Sequence, residues 1–92
     1  MADAKITSEL LIQKRKGMHA LAAAAFVKAI ENIDADVSVE RIGQVVDGCS
    51  IMGLMMLAAA QGTTIKVTCS GNQAKEAMDA LKALVNNKFG EE

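Results

Sequence analysis

His19 is the only histidine in the chain, and the residues on either side of it suit chemistry at an imidazole. Lys14-Arg15-Lys16 and Gly17 come before it, and Ala20-Leu21-Ala22-Ala23-Ala24-Ala25-Phe26-Val27 comes after. Gly17 permits a tight backbone turn. The alanine run favours helix. His19 therefore falls at or next to a helix N-terminus, where amide N–H groups without intrahelical acceptors and the positive end of the dipole collect. Such a place suits an anion, phosphate above all. Two readings stand on these residues: a histidine that carries a phosphoryl group, and a surface histidine at a loop–helix junction with no task. The basic run likewise reads as a solvated strand end or as positive potential for an approaching phosphate.

A second stretch has a different chemistry. The turn signal Asp47-Gly48 is followed by Cys49-Ser50-Ile51-Met52-Gly53-Leu54-Met55-Met56-Leu57, which reads as a short helix with Ser50 near its start. In that position the Ser50 hydroxyl serves as an N-cap. The helix is apolar on nearly every side. If Leu54 and Leu57 face the core, Ile51, Met52 and Met55 are left towards solvent. Flexible, polarisable methionine suits a surface that docks other proteins, and an exposed apolar patch marks such a surface. The alternative is a loosely packed core that these side chains fill.

Composition bounds what these stretches can serve. The chain has 92 residues, 51% of them apolar, with no proline and a net charge of -1. One small globular domain over residues 1–92 is expected. The charge gives no footprint for nucleic acid, and two Phe without Tyr or Trp give few platforms for stacking bases. A small RNA-binding domain is therefore disfavoured. No apolar run approaches the ~18 residues of a membrane span. Met1-Ala2-Asp3-Ala4-Lys5 is not read as a signal peptide. Cys49 and Cys69 form no CxxC or disulfide framework, which fits a reducing cytoplasm. One histidine with scattered carboxylates gives no metal-site spacing.

The elements that must position these residues follow from periodicity. Lys5 to Gln13 alternates, with Ile6, Ser8, Leu10 and Ile12 on one face, as a half-buried strand does. A helix is expected from Ala20 to about Asn32, with Ala23, Val27 and Ile30 on the apolar stripe and Ala20 and Phe26 flanking it. Val37 to Arg41 and Gln44 to Val46 read as two strands of a hairpin turning near Ile42-Gly43. Thr63 to Ser70 alternates again, with Ile65, Val67 and Cys69 on the inner face. The last helix opens at Gly71-Asn72. It carries Ala74, Ala77, Met78, Leu81, Leu84 and Val85 on one stripe and pairs Lys75 with Asp79 at i, i+4 on the other. Phe89 closes the core, and residues 90–92 read as a frayed tail. The order β-α-β-β-α-β-α predicts an α/β (α+β) open-faced β-sandwich: a four-stranded antiparallel sheet covered on one face by three helices.

Gly17-Met18-His19-Ala20 before an alanine-rich helix is one motif. Ser50-Ile51-Met52-Gly53-Leu54-Met55, then Leu57, then Gly62-Thr63 before a strand, is another. With both at this separation, the chain resembles the histidine-containing phosphocarrier (HPr) family of the bacterial phosphoenolpyruvate-dependent phosphotransferase system, over essentially its whole length. The resemblance implies that His19 accepts a phosphoryl group on Nδ1 from enzyme I and passes it to an EIIA-type protein in sugar uptake or its regulation. It implies that the backbone amides of Ala20 and Leu21 steady the phosphoryl oxygens and that Ile51, Met52 and Met55 form the partner surface. It also implies that Ser50 is the site where a serine kinase adds a regulatory phosphate. The protein would be a monomeric cytoplasmic transfer partner with no cofactor or metal, binding no nucleic acid and inserting in no membrane.

Two positions depart from the family pattern. Leu21-Ala22 stands where arginine and proline are usual, and Cys49 stands where the serine motif commonly has lysine. The arginine fork would stabilise the transferring group, so Arg15, Lys16 or Lys28 is expected to supply part of the missing charge. The alternative function is an HPr-like regulatory binding module with weak or no phosphotransfer, acting by occupying partners.

Overall fold

The computed structural model describes residues 5–12, 20–57 and 64–86. These residues form β1 (Lys5–Leu11), α1 (Ala20–Ile30), β2 (Asp36–Arg41), β3 (Gln44–Asp47), α2 (Ile51–Met56), β4 (Thr64–Ser70) and α3 (Ala74–Asn86). The last strand in sequence is central in space: the sheet order is β1-β4-β2-β3, with every pair antiparallel. Strict alternation in β4 sends Ile65, Val67 and Cys69 fully into the core. Register extends that buried surface sideways, Ile6 and Val37 flanking Cys69, and Val39 beside Val67. On the other face Lys66 lies between Glu9 and Glu40, and the hydroxyls of Thr7 and Thr68 meet at 3.2 Å. One face is thus wet and the other covered, as the alternation predicts.

The helical layer runs α3–α1–α2. α3 packs on β1 and β4, α1 lies between α3 and α2, and α2 packs against β3. α1 buries Ala22, Ala23, Phe26 and Ile30, while α3 buries Ala74, Ala77, Met78, Leu81 and Val85. α3 lies directly on β1 and β4, whereas α1 makes its close approaches to α3 and α2, with Phe26 fully buried. The Lys75–Asp79 pair forms at 3.0 Å on the exposed face of α3.

Several boundaries and faces differ from the sequence expectation. α1 stops at Ile30, two residues early, as the chain turns towards β2. Its stripe is also rotated: Ala20 is exposed and Val27 only half-buried, and Ala22 and Phe26 take the core positions instead. β2 begins one residue earlier, at Asp36, and β3 runs on to Asp47. Cys49 lies in the turn before α2, not in the helix. Leu84 is half-buried. Thr63 and Phe89, expected in β4 and in the core, lie outside the described residues.

Two connections fix which end of the molecule each helix presents. Asp34, between α1 and β2, accepts from the Gln73 amide at 2.9 Å through its carbonyl and from Asn72 Nδ2 at 3.1 Å through its carboxylate. The C-terminal end of α1 is thereby held where β2 begins and β4 ends. The N-terminal end of α1 therefore lies at the opposite end of the sheet, with Ile12, Arg41 and Thr64. At that same end Arg41 Nη1 donates to the Leu57 carbonyl at 2.9 Å, tying the close of β2 to the close of α2. A cation on the last carbonyls of a helix also complements its dipole.

Candidate functional site

The first turn of α1 and the close of α2 lie at this second end, whereas Ser50 starts α2 at the first end, just after Asp47, which pairs with Ser38, and Gly48, whose amide donates to the Val37 carbonyl. Ala20 is the first residue of α1 and is exposed, and Leu21, next in the first turn, is 70% exposed. His19, bonded to Ala20, lies outside the described residues, as do Lys14, Arg15, Lys16 and Gly17. Lys28 is exposed but sits in the last turn of α1, about 12 Å along the axis from Ala20 at 1.5 Å per residue. It stands at the wrong end of the helix to supply charge near residue 19, which corrects that expectation.

α2, packed beside α1, adds an exposed apolar face. Leu54 and Leu57 are buried, whereas Met52 is 72% exposed and Ile51 and Met55 are each 40% exposed. Met56, at 74%, belongs with them and was not singled out in sequence. Its spacing from Met52, i to i+4, was the available signal. Neither Ala20–Val27 nor Ile51–Leu57 contains a charged residue. Two adjacent helices thus present an uncharged, largely apolar surface.

Ser50 caps α2. Its backbone is extended (φ -101, ψ 106) and its Oγ accepts from the Gly53 amide at 3.0 Å. Gly53 is small for a reason: a Cβ there would stand 3.0 Å from both Ser50 Oγ and Val46 Cβ. The preceding turn is held by Asp47 Oδ1, which accepts from the Cys49 amide at 2.8 Å. The Cys49 thiol is exposed, and its pKa is pushed up by partial burial and then by the charges of Asp47, Asp36 and Glu31. Where the family commonly has a lysine, this chain has an acidic neighbourhood. Cys69 is buried, and burial pushes its thiol up as well.

Among the described residues no cluster of His, Cys, Asp and Glu is arranged to hold a metal ion, and no helix is long and apolar enough to cross a membrane. A polar hollow lined by Asp34, Asp36, Gly71 and Asn72 lies at the far end of the sheet.

The fold defines a class, the open-faced β-sandwiches with three helices over one face of a four-stranded antiparallel sheet. Within that class the chain belongs to the HPr phosphocarrier family of the phosphotransferase system: the family model for the PTS HPr component phosphorylation site matches residues 6–87. The phosphocarrier protein HPr of Cupriavidus necator is 45% identical over 80 residues, 87% of this chain and 90% of that protein. A crystal structure of HPr from Thermoanaerobacter tengcongensis superposes with a TM-score of 0.86 at 37% identity, covering 97% of this chain and 98% of that one. An HPr dimer from the same organism gives a TM-score of 0.75 at 38% identity, covering 87% of this chain and 92% of that one.

Proposed function

We propose that His19 accepts a phosphoryl group on Nδ1 from phosphorylated enzyme I and passes it to an EIIA-type protein, in sugar uptake or its regulation. The observation that carries this reading is the start of α1 at Ala20, directly after the only histidine, in a chain of the HPr family. A neutral imidazole offers one nitrogen lone pair to phosphorus while the other nitrogen keeps its proton. The nitrogen–phosphorus bond forms as the donor's bond to phosphorus breaks. The amides of Ala20 and Leu21, in the first turn of α1, steady the phosphoryl oxygens, and the helix dipole adds to their effect. Catalysis of such a transfer is positioning and charge stabilisation, so the carrier needs no cofactor of its own. Ile51, Met52 and Met55, joined by Met56, form the partner surface. Ser50 is the regulatory phosphorylation site, where a serine kinase would place negative charge at the edge of that surface. The carrier acts as one 1–92 domain, a monomer in the cytoplasm.

The test is phosphorylation by enzyme I and phosphoenolpyruvate, followed by intact mass, with His19→Ala as control. An acid-labile gain of one phosphate, absent from the variant, is the expected result. A folded protein that gains nothing beside an active enzyme I overturns the carrier reading. It would then favour the second reading, a regulatory binding module, to which the exposed Leu21 in place of arginine points.

A further inference from the structure

The geometry points to Leu21 as a specificity residue: its side chain is a contact through which the phosphodonor docks, and the donor's surface opposite it is apolar. The inference rests on the phosphocarrier reading for the identity of that donor. A single exposed leucine would ordinarily mean nothing, since apolar atoms make up much of any protein surface. Leu21 is different in three respects. It is two residues from His19, so their Cα atoms are at most about 7 Å apart. A protein that exchanges a group with residue 19 must cover the first turn of α1. It stands in the first turn of α1, the helix that packs against α2, at the end of the molecule where Arg41 ties down Leu57. And no charge interrupts either helix there, from Ala20 to Val27 or from Ile51 to Leu57. The 70% of Leu21 left in water is thus part of the surface the donor must bury. A donor that presented a carboxylate at this point would bury it against leucine without a partner, which is unfavourable. The same contact therefore selects against donors built for an arginine.

The experiment measures the Kd of enzyme I from the same organism for the full chain carrying His19→Ala, which separates docking from chemistry. Leu21→Ala, Leu21→Met and Leu21→Arg are added to that background. Phosphotransfer KM and kcat are measured for the same three changes with His19 intact. Leu21 is exposed, and unchanged thermal unfolding confirms that each variant folds. Leu21→Ala is expected to raise Kd roughly tenfold, as loss of a buried leucine side chain does. Leu21→Arg raises it at least as far, and Leu21→Met stays within about threefold of the parent. The Ala-to-parent ratio is expected to be the same in low and high salt, because an apolar contact is not screened. KM should follow Kd, with kcat nearly unchanged. An unchanged Kd for Leu21→Ala, or tighter binding by Leu21→Arg, overturns the proposal even if His19 is phosphorylated. If His19 is not phosphorylated but the Kd ratios hold, the carrier reading fails and the docking contact stands. If the parent chain does not bind enzyme I at all, both fail.

Discussion

The Ser50 hydroxyl and the Gly53 amide are joined at 3.0 Å across the first turn of α2, so the proposed regulatory serine is also the cap that starts the helix proposed to dock partners. These roles make opposite demands on substitutions. Alanine removes the acceptor and leaves an amide of the first turn without its partner, which costs about 1 kcal/mol. Aspartate is as good an N-cap as serine, and its charge suits the positive end of the helix. Ser50→Ala should lower the urea midpoint by the equivalent of about 1 kcal/mol. Ser50→Asp should leave the midpoint nearly unchanged while raising the KM for enzyme I. Equal loss of stability in both variants would show that the cap is not what Ser50 contributes.

The capping role was legible in sequence because a serine before an apolar run has few other structural uses. The strands were legible too: in β4, Ile65, Val67 and Cys69 alternate with polar residues, and one side of the sheet is dry. α1 was harder to read. Ala20 to Ala25 is a run broken only by Leu21, and alanine fits either side of a helix, so periodicity could not fix the rotation. Phe26, which needs the most space, fixed it through packing. Lys28 lies eight residues from Ala20 in one helix, a separation that the expected helix already implies and that puts its charge out of reach of residue 19. The Arg41–Leu57 tether had no signal, since it joins residues 16 apart through a backbone carbonyl.

Cys69 makes stability depend on alkaline pH, with a definite sign. Burial holds its thiol above the ordinary value of 9.0 in the folded protein. The unfolded chain releases that proton near the ordinary value, so above it the unfolded state binds fewer protons than the folded one. Stability is then full below about pH 9 and falls as pH rises, at no more than about 1.4 kcal/mol per pH unit from this residue. Cys69→Val keeps an apolar side chain of similar size and removes the titration. Urea midpoints at pH 7 to 10 should decline less steeply in the variant than in the parent. Parallel declines would show that the thiol is not the source.

Ile42 is held in a conformation that its side chain disfavours. It and Gly43 take φ of 50 and 80 at the centre of the β2–β3 turn. Two successive positive φ values define the type I′ hairpin turn, whose hand matches the twist of the strands it joins and whose preferred residues are Asn-Gly. Gly43 meets that demand with nothing near it. Ile42 does not: a β-branched residue at positive φ crowds the backbone at a cost on the order of 1–2 kcal/mol. With 86% of it exposed, packing returns little against that strain. Asparagine tolerates the left-handed region and leaves the unfolded chain less changed than glycine would. Ile42→Asn should therefore stabilise the protein by about 1 kcal/mol, seen as a higher urea midpoint at unchanged slope. A lower midpoint would mean that the isoleucine side chain makes a contact outweighing the strain. An unchanged midpoint would mean that the turn relaxes without cost in solution.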